Sequence, residues 1–302
     1  MKVIYGTSHI KRFRRPVVAL GVFDGLHLGH RHILKETVKK AAAIRGTSIV
    51  ITFHPHPQGR PSLYSLQHRL RLIEEFWVDV CIVIKFSLGF SRIKAEDFIK
   101  NILIDKIGAK FIYIGRNFKF GRAASGNFRL LHKLGGVFNY KIKTFEVVRF
   151  GRQPVSSTYI RKLISEGRLN AAQKLLQRPV TVLGTVVKGI SLAKKLGFPT
   201  ANINPHHEIL PPSGVYAVKV IFNNETFHGI CNIGRKPTLL SHNTEKHVEV
   251  YVFGFNKNIY GKDLEILFIK KIRRERKFAS LGLLAQQIRK DARIAKKIFS
   301  RH

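Results

Sequence analysis

The chain has 302 residues, 44% hydrophobic, 10% aromatic and 24% charged, which excludes a disordered, collagen-like or coiled-coil protein and leaves room for about two domains. With 54 Lys and Arg against 18 Asp and Glu the formal charge is +36, so a polyanionic partner is expected, whether nucleic acid, acidic lipid or a phosphorylated small molecule. Cys81 and Cys231 stand far apart, which fits a reducing cytosol and excludes a disulfide framework or a zinc ribbon. The start reaches no long apolar core before Lys11-Arg12-Phe13-Arg14-Arg15, and Val17 to Phe23 is too short for a membrane span, so a soluble cytoplasmic protein is expected.

In chain order, Val17 to Phe23, Ser48 to Phe53, Val80 to Phe86 and Phe111 to Gly115 are short β-branched runs that read as strands. Between and after them, Gly29 to Arg45, Leu66 to Phe76 and Ala95 to Lys106 carry apolar residues at helical spacing. Strands alternating with helices predict a parallel sheet with crossover helices, an α/β domain, closed by helices at Ser156 to Glu166 and Leu169 to Leu176. After Arg178-Pro179 the pattern changes. Val180 to Lys188, Gly214 to Phe222, Thr226 to Ile233, His247 to Phe255 and Leu264 to Ile272 are strands without intervening helices, which predicts a small antiparallel β-barrel. Leu281 to Phe299 reads as a C-terminal helix packed on its side, and the boundary between domains 1–178 and 179–302 falls near residue 178.

The stretch Gly21-Val22-Phe23-Asp24-Gly25-Leu26-His27-Leu28-Gly29-His30 runs from a buried strand through a sharp turn into a helix N-terminus, where free N–H groups and the helix dipole favour an anion. His27 and His30 are one turn apart on the same face, and Gly29 leaves space for a phosphate, so two imidazoles can donate hydrogen bonds to charge developing on phosphorus. A zinc site joining them to His54 and His56 lacks a completing carboxylate or thiolate. Ser156, Ser157 and Thr158 offer hydroxyls and N–H groups at another helix start, and Arg161 lies one turn further. The H-x-G-H stretch resembles the nucleotidylyltransferase signature. With Thr52-Phe53-His54-Pro55-His56-Pro57, Phe90-Ser91, Ala95 to Ile99 and Gly115-Arg116-Asn117-Phe118-Lys119-Phe120-Gly121 in order, the first half resembles the FAD synthetase module of the bifunctional riboflavin kinase/FAD synthetase family. That resemblance implies a Rossmann-like domain that adenylylates FMN with ATP to FAD and pyrophosphate. It implies catalytic roles for His27, His30 and Arg161 and places ATP phosphates against Gly21, Phe23, Asp24, Gly25, Gly29, Ser156, Ser157 and Thr158, with flavin at Asn117.

In the second half, Gly184 to Gly189 followed by Leu196-Gly197-Phe198-Pro199-Thr200-Ala201-Asn202 resembles the flavokinase motif of the same family. This implies phosphorylation of riboflavin by ATP, with phosphates near Gly189, Lys194, Gly197, Pro199, Thr200 and Asn202, and with Thr200 and Asn202 as neutral oxygen ligands to Mg²⁺. Glu249, one of few acids and mid-strand, reads by itself as an exposed Glu paired with a nearby Lys; the matched motifs around it imply that it points into the site and accepts the proton of the ribityl 5′-hydroxyl. The basic run Ile272 to Phe278 resembles the segment bordering the flavin, which implies contacts from Arg273 and Phe278. Four places depart from the family pattern. Ala193-Lys194 replaces a usual Gly-Arg, Tyr251 a common His, Gly254 a common acid, and Arg116 occupies a position that is often acidic.

The expected partners are therefore riboflavin, FMN and ATP, with no specific nucleic acid and no membrane. Three alternatives stand beside this reading. An RNA-binding protein would need an aromatic RNP pair or a KH-type loop. An aminoacyl-tRNA synthetase would need a Lys-Met-Ser-Lys-Ser-like loop, and Met occurs only at position 1. An adenylyltransferase with an impaired kinase half would make FAD only from supplied FMN.

Overall fold

The structure, a computed structural model, describes residues 1–59, 62–189, 196–236 and 245–300. Its chain divides into two compact units, Met1–Tyr159 and Ile160–His302. In the first, the apolar runs are buried along nearly their whole length, a pattern that only a sheet covered on both faces can satisfy. The strands are β1 (Lys2–Tyr5), β2 (Val17–Leu20), β3 (Ser48–His54), β4 (Val80–Lys85), β5 (Phe111–Gly115) and β6 (Lys141–Phe145). All pair in parallel, in the order β1-β4-β3-β2-β5-β6.

Crossovers are supplied by α1 (Leu28–Ala43), α2 (Leu66–Glu74), the single turns α3 (Leu88–Ser91) and α4 (Ala95–Asp97), and α5 (Phe128–Phe138). The expected helix at 95–106 forms, but beyond Asp97 it widens: over Phe98–Lys106 the bonds run i→i+5, as from Ile107 N–H to Ile102 C=O at 3.1 Å. After β6 come a two-strand hairpin, β7 (Arg149–Phe150) and β8 (Gln153–Pro154), then α6 (Ser157–Ser165) and α7 (Leu169–Leu176). Chain order therefore reverses between β2 and β5, whose neighbours run away from them in opposite directions. In such open sheets ligands bind beyond the carboxyl ends of the strands at that reversal.

The second unit is a closed antiparallel barrel of β9 (Val180–Val187), β10 (Thr200–Asn204), β11 (Gly214–Phe222), β12 (Glu225–Lys236), β13 (Glu245–Val252) and β14 (Asp263–Arg273), ordered β10-β13-β12-β11-β14-β9. Alternate residues, such as Tyr216, Val218, Cys231, Val248 and Val250, fill its interior. The opposite parity of β11 and β12, namely Val215, Ala217 and Ile230, is also buried, because α8 (Leu281–Phe299) lays Ile288, Ala295 and Ile298 over it. The expected five strands and terminal helix are all present. The sixth strand, β10, lies on the Pro-Thr-Ala-Asn run that the sequence offered only as a loop motif.

Candidate active sites

The turn after β2 is shaped by three successive backbone demands. Phe23, Gly25 and Leu26 all take left-handed conformations, with φ of 54°, 84° and 41°. Two of them are bulky residues, which adopt this region at a cost of about 1–3 kcal/mol each and concentrate at functional sites. At Gly25 a Cβ would also lie 2.4 Å from Leu63 Cδ1, so this glycine serves the packing of the turn and does not line the cavity. The strained turn is held from below. Asp24 is buried and accepts from the Leu63 N–H at 2.7 Å, while its carbonyl accepts from Ser157 Oγ at 2.6 Å. Arg69, 1% exposed, donates to the carbonyls of Val22 at 2.8 Å and Phe53 at 3.0 Å. Sequence reasoning passed over Arg69, since one Arg on an amphipathic helix gives no sign that it points inward.

Above this turn, beyond the ends of β2, β5 and β6, is an open cavity of about 240 Å³. It sits at the reversal of strand order. Gly21, Phe23, Asp24, His27, Gly29 and His30 line it, together with Asn117 and Ser157. Ser156 instead caps α6, its Oγ accepting from the Tyr159 N–H at 3.2 Å, and neither Ser156 nor Thr158 lines the cavity. Arg161 lies four residues along α6 from Ser157, within the second compact unit.

His27 is the N-cap of α1, and its ring stacks on that of His30 with centroids 3.7 Å apart and planes 18° from parallel. The edge of Phe23 packs against His30 at 5.3 Å. The Nδ1 atoms of both histidines are buried and have no hydrogen-bond partner. Burial pushes the His27 imidazole down to about 4, and burial, then His27, then the Arg69 guanidinium hold His30 well below its ordinary value. Both rings are thus neutral near pH 7, each with one N–H to donate beside the free amides of the α1 N-terminus.

This has a consequence for stability. Below pH 6.5 the unfolded chain takes up a proton at His27 that the folded chain refuses until about pH 4. The stabilisation is therefore full above pH 6.5 and drains as the pH falls toward 4, by on the order of 3 kcal/mol for His27. Thermal unfolding from pH 7.5 to 4.5 should show this loss, and a His27→Asn variant should lose distinctly less across the same window.

In the barrel, the pairing register aligns the chemistry. Asn202 on β10 lies opposite Glu249 on β13, which lies opposite Asn232 on β12. Directly opposed residues share a face, so the three form one row on the outer side of the barrel, with Thr200 two residues from Asn202 on the same face. Glu249 thus lies on the outer face, since the interior parity belongs to Val248 and Val250. Glu249 Oε1 meets His247 Nε2 at 2.7 Å, a partner that sequence reading missed although i and i+2 on a strand always share a face. Asn202 is buried with its Oδ1 unpartnered, and a Cβ on Gly189 would fall 1.9 Å from its Nδ2. Gly189 is therefore a glycine because the Asn202 amide occupies the space a side chain would need.

Gly197 takes a φ of 83° and, like Pro199, is exposed. Lys194 and its neighbour Ala193 lie outside the described residues. Arg273 is committed elsewhere than expected: its Nε and Nη2 bond both oxygens of buried Asp291 on α8, and its Nη1 donates to the Arg274 carbonyl. It reaches Phe278 only as a guanidinium 5.6 Å from that ring, with Arg276 at 4.8 Å. Two departures now have physical causes. Tyr251 packs edge-on against Phe198 and Phe253 on the face beneath α8, and Gly254 has a φ of 65°, a conformation an acidic side chain rarely adopts.

Together the two units define a class: a nucleotidylyltransferase-type α/β fold followed on one chain by a flavokinase-type barrel. The model of the FAD synthetase family matches residues 9–159 and that of the riboflavin kinase family residues 176–299. The chain is 39% identical over 310 residues to the bifunctional riboflavin kinase/FMN adenylyltransferase of Buchnera aphidicola subsp. Schizaphis graminum, covering 99% of each chain. It is 36% identical to that of Haemophilus influenzae, covering 99% of this chain and 100% of the relative, and 31% identical to that of Escherichia coli K12, covering 99% and 98%. Among solved structures, one described as a macrolide-efflux protein from Streptococcus pneumoniae matches with a TM-score of 0.84 at 27% identity, covering 98% of this chain and 99% of that one. The chain belongs to the bifunctional riboflavin kinase/FMN adenylyltransferase family. No helix among the described residues is long and apolar enough to cross a membrane.

Proposed function

We propose that the chain phosphorylates riboflavin to FMN in its barrel and adenylylates FMN to FAD in its α/β domain, with boundaries at residues 1–178 and 179–302. The stacked, neutral His27–His30 pair at the N-terminus of α1 carries the second activity. A phosphate oxygen of FMN attacks the α-phosphorus of ATP, the α–β bridging bond breaks, and pyrophosphate leaves. No protein nucleophile is needed, so the residues act by positioning and by hydrogen-bonding the charge that develops. His27 and His30 donate to the reacting phosphates, Gly29 and the α1 amides cradle them, Asn117 contacts the flavin, and Arg161 holds the departing pyrophosphate.

In the barrel, the 5′-hydroxyl of riboflavin attacks the γ-phosphorus of ATP, its proton passes to Glu249, and ADP leaves. His247 orients the accepting carboxylate through its 2.7 Å contact. Thr200 and Asn202 are the residues that would hold Mg²⁺. The unpartnered, buried Oδ1 of Asn202 fits that role, since a buried acceptor without a donor is costly unless a ligand satisfies it. Bound there, the ion would neutralise phosphate charge. No group of three His, Cys, Asp or Glu among the described residues offers a competing metal cluster. Phe278 borders the flavin, and Arg273 acts by holding that segment to Asp291. The two cysteines, both free and buried, support a cytoplasmic location.

The test is direct. The full chain incubated with riboflavin, ATP and Mg²⁺ should yield both FMN and FAD on chromatography. FAD from supplied FMN alone would mean an impaired kinase half, and absence of both products would overturn the reading.

A further inference from the structure

The substrates proposed for the α/β cavity are anions, yet His27 and His30 are neutral and Asp24 is an acid. Among the described residues lining the cavity, Arg116 is the one guanidinium or ammonium. Its position follows from sheet register. Gly115, the last residue of β5, lies opposite Phe145, the last of β6, and the Arg116 N–H donates to the Phe145 carbonyl at 2.9 Å. The next residue on each strand is therefore held side by side at the cavity mouth: Arg116 and Glu146. Their side chains form an ion pair, Arg116 Nη1 to Glu146 Oε1, and are 52% and 71% exposed. The Arg116 guanidinium also lies 5.4 Å from the centre of the Phe128 ring, which orients it without using a hydrogen bond.

An ion pair this exposed contributes little, because water solvates both partners well when they separate. A phosphate dianion offers the same guanidinium more charge and a geometry suited to two parallel hydrogen bonds. We infer that Arg116 captures a substrate phosphate at the mouth of the adenylyl-transfer cavity and that Glu146 is its internal competitor, displaced when the phosphate arrives. Glu146 thereby keeps the guanidinium oriented in the free protein and opposes weakly charged ligands at the same spot. The inference rests on the proposed adenylyl transfer in this cavity. The phosphate belongs either to FMN or to ATP, and the two sources separate experimentally.

Steady-state FAD formation by the full chain, with FMN and ATP varied in turn, reads the effect. Arg116→Met should raise the KM of one of the two substrates by about tenfold, the scale of one lost charge-assisted contact. The other KM and kcat should stay within about twofold, and riboflavin phosphorylation by the same molecule reports that it is folded. Glu146→Gln should lower that same KM, and the gain should vanish in the Arg116→Met background. A rise in the FMN KM assigns the capture to the flavin phosphate, and a rise in the ATP KM assigns it to the nucleotide. Unchanged KM values in Arg116→Met, or a raised KM in Glu146→Gln, would overturn the inference while leaving the activity of the cavity in place. A wild-type chain that forms no FAD would instead overturn the adenylyl-transfer reading and this inference with it.

Discussion

Replacing His30 with glutamine reduces FAD formation from supplied FMN and ATP by about a thousandfold and leaves riboflavin phosphorylation near the wild-type rate. Removing one donor that stabilises developing charge in a water-excluded site typically costs this much, or about 4 kcal/mol of transition-state stabilisation. His30 is suited to such an effect because its neutral ring keeps an N–H available in a site where free amides of α1 converge. Its stacking partner limits compensation: His27 is 3.7 Å away and holds its own place at the helix cap. Glutamine keeps most of the volume and one donor, so a large loss reports the placement of the imidazole N–H more than a collapsed cavity. His27→Asn should act in the same direction. FAD formation within tenfold of wild type in a folded His30→Gln chain would remove the histidine pair from the chemistry.

The second large effect is expected in the barrel. Glu249→Gln preserves the shape of the side chain and a possible hydrogen bond to His247, but it cannot accept a proton. Riboflavin phosphorylation should fall by about 10²–10⁴-fold, the usual contribution of a positioned general base, while FAD formation from supplied FMN is retained. FAD formation by the same molecule reports that the variant is folded. A Glu249→Gln chain with near-normal kinase rate would sink the general-base assignment. His247→Gln should give a smaller loss, because it changes how the carboxylate is held and leaves the proton acceptor in place.

Legibility in the sequence tracked the strength of each physical signal. Val17–Leu20, Ser48–His54 and Val80–Lys85 were readable because strands buried on both faces must be apolar throughout. The edge strands escaped. Lys2–Tyr5 is short and mixed, and Lys141–Phe145 keeps lysines on its exposed parity, which blunts an edge and also hides the strand from a search for apolar runs. Helix α5 was missed in a stretch where the motif reading centred on Gly115 to Gly121, and its Gly135 and Gly136 weaken a helical pattern. In the sites, His27, His30, Thr200, Asn202 and Glu249 could be named because each belongs to a run of recognisable spacing. The residues that hold them could not.

Composition and local spacing by themselves determined that this is a two-part α/β and β-barrel chain, and marked the strand-to-helix turn at 21–30 as a place that favours an anion. They did so because hydrophobic period and turn residues act over a few positions. The charge of +36 predicted anionic partners but left open where their charge would be met. What only the tertiary structure decided is which distant residues meet. Arg69 is drawn under the turn from 47 residues away, the register of β10, β13 and β12 brings Asn202, Glu249 and Asn232 into one row on the outside of the barrel, and the paired ends of β5 and β6 set Arg116 against Glu146. Each is a contact between residues distant in the chain, fixed by sheet order, register and burial, and local periodicity carries no record of it.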